Sequence, residues 1–181
     1  MSSAYTDKQA FRIASMFGVL DVDGDGVITR ADFELLAERV YALVADHAGE
    51  AQRTAIQDAA LAWWEQLSRD LDANSDGQIT TREYVTDFKT GGVTRQEGYF
   101  DQGAGPLASA IAQAADIDGD GFISEYEHVA LIRAAFLDEE GDDTARAEFR
   151  RLDTDGAGKI SIEKFRSAVY QLFVTEDPAD A

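Results

Sequence analysis

Four segments of twelve residues repeat one pattern of oxygen-bearing side chains, and nothing else in the chain restricts its folding so tightly. The fullest copy, Asp116 to Glu127, reads DIDGDGFISEYE. It sets Asp116, Asp118 and Asp120 at positions 1, 3 and 5, with Gly121 at 6, where the backbone must turn sharply. Phe122 follows at 7, Ser124 at 9 and Glu127 at 12. A chain that gathers three carboxylates, one carbonyl and a long terminal carboxylate around one point needs a counter-charge there. Calcium takes six to eight oxygens at roughly 2.3–2.6 Å, which this spacing supplies, with the Phe122 carbonyl turned inward and Ser124 holding a coordinating water.

The other copies are Asp21 to Asp32 (DVDGDGVITRAD), Asp72 to Glu83 (DANSDGQITTRE) and Asp153 to Lys164 (DTDGAGKISIEK). All four carry glycine at position 6 and isoleucine at position 8, and they resemble EF-hand loops. The expected ligands of loop I are Asp21, Asp23, Asp25, the Val27 carbonyl, Thr29 and Asp32. Those of loop II are Asp72, Asn74, Asp76, the Gln78 carbonyl and Glu83. Those of loop III are Asp116, Asp118, Asp120, the Phe122 carbonyl and Glu127. Loop IV has Ala157 at position 5 and Lys164 at position 12, so two ligands are absent and an ammonium replaces a carboxylate. No calcium is expected there, and Lys164 is expected to stand in for part of a cation's charge. About three ions are therefore expected in all.

The formal charge of −19 argues against nucleic acid and anionic membrane as partners. Eleven of the carboxylates fall at ligand positions of loops I–III, so metal binding should be coupled to folding or stiffening. Cysteine is absent, which excludes disulfides and thiolate metal sites. No leader or membrane-length apolar run is seen, and Ser2 stands where a myristoyl anchor needs glycine, so a soluble cytoplasmic monomer is expected. No Walker loop, H-E-x-x-H or Cys–His pair is present, and the acids are accounted for as ligands and solvated faces; the chain reads as a non-enzyme.

Apolar residues recur at helical spacing on both sides of each loop. Ile13, Phe17 and Leu20 lead into loop I, and Phe33, Leu36, Ala37, Val40, Tyr41 and Val44 leave it. Ile56, Ala59, Ala60, Trp63, Trp64, Leu67 and Leu71 precede loop II; Tyr84, Val85 and Phe88 follow it. Leu107, Ile111, Ala114 and Ala115 precede loop III, and Val129, Ala130, Ile132, Phe136 and Leu137 follow. Asp142 or Asp143 is expected to cap the helix of Phe149 and Leu152, and Phe165, Ala168, Val169, Leu172 and Phe173 close the chain. Thr80 with Glu83 and Ser124 with Glu127 have capping-box spacing. The long interval between loops I and II predicts an extended helix and connector over roughly 40–56. The expected organisation is an N-terminal pair of hands (1–90), a connector (91–106) marked by Gly91–Gly92 and Gly103–Pro106, a C-terminal pair (107–175) and a flexible tail (176–181).

Four hands in 181 residues, a long first interval and only two methionines resemble the sarcoplasmic calcium-binding proteins and their calerythrin-like bacterial branch. The resemblance implies an all-α fold in which two pairs of hands pack into one compact globule. It also implies short β-bridges through Ile28, Ile79, Ile123 and Ile160, one or two inactive hands, and a role as a calcium buffer. It further implies that a first loop ending in aspartate, here Asp32, is ordinary for the family. An aspartate is one methylene shorter than glutamate and gives fewer oxygens, so magnesium is expected to exchange at loop I in particular. The alternative is a calcium sensor that opens an apolar surface for a partner protein. Sensors line such grooves with methionine, which this chain hardly contains, and no protein target is indicated. A bound chromophore among Trp63, Trp64, His47 and His128 is disfavoured, because the tryptophans sit on a predicted core face.

Overall fold

The computed structural model describes residues 17–90, 98–136 and 141–174, and in it every loop joins two helices. Residues 17–20 end the helix entering loop I, and α1 (Arg30–Val44) leaves it. Loop II lies between α2 (Glu50–Leu71) and α3 (Thr81–Thr90). A short α4 (Tyr99–Gln102) precedes α5 (Ala104–Ala115), and loop III joins α5 to α6 (Glu125–Phe136). Loop IV joins α7 (Gly141–Leu152) to α8 (Ile162–Val174).

The incoming helices end alike, because the aspartate at position 1 makes the last helical bond before the chain turns away. Its amide donates to the carbonyl four residues back: Asp21 to Phe17 (2.8 Å), Asp72 to Ser68 (3.1 Å), Asp116 to Ala112 (3.0 Å) and Asp153 to Phe149 (2.8 Å). The outgoing helices begin just after the position-9 hydroxyl residue, as capping chemistry requires. Position 8 lies between, and β-branched isoleucine suits the extended backbone there. β1 (Val27–Ile28) pairs antiparallel with β2 (Ile79–Thr80), placing Ile28 opposite Ile79. β3 (Phe122–Ser124) pairs likewise with β4 (Lys159–Ser161), placing Ile123 opposite Ile160. All four isoleucines are fully buried, so loops I/II and III/IV pair as the sequence implied.

The core is one cluster that crosses between the pairs. Phe33 of α1 packs edge-on against Trp63 (ring centroids 5.4 Å apart) and tilted against Trp64 (5.8 Å), which fixes α1 on α2. α2 also packs on α5, α5 on α8, and α1 on α6. α5 presents Ala104, Ala108, Ala112, Ala114 and Ala115 as buried positions, small enough for close helix approach.

Several expectations resolve differently in detail. The helix and connector expected over 40–56 are found, with the connector confined to a short turn: α1 stops at Val44, residues 45–49 turn, and a new helix of 22 residues starts at Glu50. Tyr41 Oη donates to the Ala48 carbonyl at 3.1 Å across that turn. Part of the expected connector is helical, since α4 and the start of α5 fall within 99–106. Pro106 sits in the first turn of α5, where an N–H has no helical partner to lose. Asp142 and Asp143 lie inside the first turn of α7, favourable to the helix dipole, rather than before it as a cap. On α6 the buried face includes Glu127, His128 and Leu131 as well as Val129. Ile13, Gly91, Gly92, Leu137 and the 176–181 tail lie outside the described residues, as do the side chains of Phe88, Phe136, Val169, Leu172 and Phe173.

Candidate metal centres

Each loop is shaped first by its own backbone. The position-6 glycines Gly26, Gly77, Gly121 and Gly158 have φ of 94°, 81°, 80° and 75°, a region costly for any side chain. That turn points the glycine amide back at the first aspartate. Gly26 donates to Asp21 Oδ2 (3.0 Å), Gly77 to Asp72 Oδ2 (2.9 Å), Gly121 to Asp116 Oδ2 (2.9 Å) and Gly158 to Asp153 Oδ2 (2.9 Å). Positions 3 and 5 follow the same logic: Asp25 donates to Asp23 Oδ1 (3.1 Å), and Asp120 to Asp118 Oδ1 (3.1 Å). The position-7 amides of Val27, Gln78 and Phe122 donate to the position-5 carboxylates at 2.9–3.0 Å.

The outcome in loops I and III is three carboxylates whose oxygens lie within 4.8 Å of one another: Asp21, Asp23 and Asp25, and Asp116, Asp118 and Asp120. Three like charges at that range are unfavourable unless a cation shares them. Asp21 Oδ1 is buried without a hydrogen-bond partner, an arrangement that costs free energy and that a hard cation would relieve. The donor set and this orphaned oxygen fit calcium or magnesium.

Loop II brings Asp72, Asn74 and Asp76 together differently. The Asp76 amide is shared by Asp72 Oδ1 (3.2 Å) and Asn74 Oδ1 (3.0 Å), while Asn74 Nδ2 donates to Asp76 Oδ2 (2.8 Å). The neutral asparagine thus replaces a repulsion by a bond. Ser75 at position 4 holds φ of 58° where the other three loops use glycine, so this turn carries local strain.

Position 12 closes each loop from the far side. Glu83 Oε1 accepts the Ala73 amide (3.1 Å), and its Oε2 accepts the Thr80 amide (2.9 Å) and hydroxyl (2.8 Å). Glu127 repeats this with Ile117 (2.7 Å) and the Ser124 amide and hydroxyl (2.8 Å each). The Glu83 and Glu127 amides donate back to the hydroxyls of Thr80 and Ser124 at 3.3 Å, completing both expected capping boxes. Asp32, though shorter, accepts the Val22 amide (2.9 Å) and the Thr29 amide and hydroxyl (2.8 Å each). These donors hold the Glu83 carboxyl below the ordinary range, the Thr80 amide contributing most. For Glu127 burial pushes the other way, but the Ser124 and Ile117 donors outweigh it and the carboxyl is also lowered.

Loop IV keeps the frame without the ligands. Ala157 at position 5 still donates its amide to Asp153 Oδ1 at 2.9 Å. Lys164 Nζ lies 3.5 Å from Asp155 Oδ2, within ion-pair reach of the position-3 carboxylate, and Glu163 is exposed. Sequence reasoning missed a second lysine. Lys159, at position 7 of loop IV, crosses the β-bridge and places its ammonium 3.0 Å from Asp120 Oδ2 in loop III. The hydrogen bond from Lys159 holds the Asp120 carboxyl below its ordinary value. The available signal was that Lys159 is the one charged residue at position 7 among the four loops.

Comparison with known proteins agrees with this construction. The EF-hand family model matches residues 13–37, 69–89 and 113–127, and an EF-hand domain-pair model matches 131–172. Calerythrin of Saccharopolyspora erythraea is 26% identical over 158 residues, covering 87% of this chain and 88% of that one. The sarcoplasmic calcium-binding protein β chain of Penaeus is 25% identical over 160 residues, covering 87% and 83%. Among solved structures, a Streptomyces coelicolor calcium-binding protein, whose structure is described as the basis for prokaryotic calcium-mediated regulation by it, is 31% identical. It superposes with a TM-score of 0.72 over 91% of this chain and 96% of that one. The chain belongs to the EF-hand family of calcium-binding proteins. Its similarity runs to calerythrin and the sarcoplasmic calcium-binding proteins across most of its length.

Proposed function

We propose that loops I, II and III each bind one divalent cation through the residues named above, and that the protein serves as an intracellular calcium buffer. The observation that carries the buffer reading is the packing of one pair of hands against the other. The α1/α2 face bearing Phe33, Trp63 and Trp64 belongs to a core shared with α5, so the surface a sensor would open already has a partner within the chain. Calcium supplies charge that the clustered carboxylates lack; the chain supplies preformed loops whose amides aim those carboxylates inward. Loop I, closed by the short Asp32, is the site at which magnesium exchanges. Loop IV takes no ion, and its Ile160 keeps loop III in shape. The reading takes the protein to be a cytoplasmic monomer and not an enzyme; among the described residues no helix is long and apolar enough to cross a membrane.

A second reading, a calcium sensor acting on a partner protein, is favoured by one observation. The Streptomyces coelicolor relative, similar over nearly its whole length, is described in terms of calcium-mediated regulation. Binding of a hydrophobic dye in magnesium and then in saturating calcium separates the two. A buffer leaves the dye dark in both states. Brightness confined to calcium would overturn the buffer and establish an opened apolar surface.

A further inference from the structure

We propose that loop IV acts on loop III as a built-in competing cation, with the Lys159 ammonium opposing calcium at Asp120. The inference rests on the reading of Asp120 as a ligand of loop III. Lys159 stands in register with Ser124 across the β3–β4 bridge, so backbone pairing sets its Cα beside loop III, and its flexible stem carries the ammonium on to Asp120. Its ammonium lies 3.0 Å from Asp120 Oδ2 and 4.1 Å from the centre of the Phe122 ring, two contacts that hold it on the loop III side. With Asp120 Oδ1 accepting the Phe122 amide at 2.9 Å, both oxygens of the position-5 carboxylate are engaged.

Neither partner loop of the other pair offers a counterpart. Position 7 of loop II is Gln78, which carries no charge, and Asp25 of loop I has no cation within ion-pair distance among the described residues. The effect is therefore confined to loop III, which otherwise has the fullest ligand set. Loop IV, having given up Asp at position 5 and Glu at position 12, keeps two of the chain's four lysines. One faces its own Asp155 and the other its neighbour's Asp120. A cation so close to the ion's place must be displaced or endured when calcium binds, and either weakens affinity.

The test is calcium titration of the full chain by NMR, following the Gly121 amide for loop III and the Gly26 amide for loop I. Both amides donate to the first aspartate of their loops and so report binding locally. Lys159→Met keeps the aliphatic stem and removes the charge; it is expected to tighten loop III by about two- to fivefold, the range for exposed ion pairs. Loop I should not move, and Lys159→Arg should titrate like the parent. The gap between parent and Lys159→Met should narrow between about 0.1 M and about 1 M salt, as the Debye length falls from about 10 to about 3 Å. If Gly121 responds to calcium at the same concentration in the parent and Lys159→Met, the competing-cation inference is overturned and loop III remains a calcium site. If Gly121 responds to calcium in neither protein, the ligand reading of loop III fails and takes this inference with it.

Discussion

Asp32 Oδ2 accepts both the amide and the hydroxyl of Thr29 at 2.8 Å, and the aspartate is only 1% exposed. The last residue of loop I is thus drawn deeper than Glu127, at 5% exposure, in the same position of loop III. Its reach is shorter by one methylene, so it offers a small, rigid closure suited to a six-coordinate ion. Asp32→Glu should raise the calcium-over-magnesium preference of loop I by about tenfold, or about 1.4 kcal/mol. Calorimetric calcium titrations with and without magnesium would read it. An unchanged preference would mean that Asp32 does not set the selectivity.

Ile160 and Ile123 face each other across the loop III/IV bridge, both fully buried. If loop IV persists as a brace, removing its contact should be felt in loop III. Ile160→Ala is expected to destabilise the metal-free protein by about 2–5 kcal/mol. The urea midpoint measures that loss, and the calcium affinity reported at Gly121 should fall more than that at Gly26. Equal losses at both glycines would show a global effect in place of a brace.

The loop pairing through Ile28–Ile79 and Ile123–Ile160 was implied by the family resemblance, while the loops and the capping boxes at Thr80–Glu83 and Ser124–Glu127 were legible in the sequence itself, because each depends on residues within twelve positions of one another. The contacts that join distant residues were not. Lys159 reaching Asp120 depends on a β-bridge register that spacing alone does not display as a side-chain contact. The α6 face was misjudged because a buried Glu127 beside a buried His128 reads as polar, so the apolar count passed over Leu131. The exact bounds of the turn at 45–49 were not legible, because the segment lacks proline and its only strong punctuation is Gly49. The ligand assignments rest on the loop pattern and family membership together, with the orphaned Asp21 Oδ1 as the structure's own contribution.

Asn74 donates to Asp76 Oδ2 at 2.8 Å, a bond that only the amide can make. Asn74→Asp therefore has opposite effects on the two states. Two ionised carboxylates at that distance should lower the thermal midpoint of the metal-free protein, while the added charge should tighten calcium at loop II by several-fold. A variant that improves both stability without metal and calcium affinity would contradict the placement of Asn74 among the ligands.

Acid should weaken the metal-free fold in two stages. Burial lowers the His128 pKa from its ordinary 6.5, so the unfolded chain takes up a proton first, and stability is lost as pH falls below about 6.5. Glu83 and Glu127 are held below their ordinary 4.5, so the stability they contribute is full above that value and disappears as pH falls through their folded values. Urea midpoints in chelator from pH 7 to pH 3 should trace both stages. His128→Gln should flatten the upper one and leave the lower. A single loss confined to the carboxylate range in the parent protein would show that His128 is not buried as described.

Gly103 sits where α4 turns into α5, directly against α2. A Cβ there would lie 2.6 Å from Trp63 Cδ1 and 2.8 Å from Gln66 Oε1, closer than ordinary van der Waals contact allows. Trp63 cannot retreat freely, since its ring packs edge-on against Phe33 at 5.4 Å, and Phe33 itself is fully buried. The clash must therefore separate α5 from α2, which is one of the contacts joining the two pairs of hands. Gly103→Ala should cost about 1–3 kcal/mol and lower the thermal midpoint. The same variant should let a hydrophobic dye bind in the calcium-loaded state if that contact keeps the apolar faces covered. Parent-like stability together with a dark dye would show that the α2–α5 contact does not hold the pairs closed.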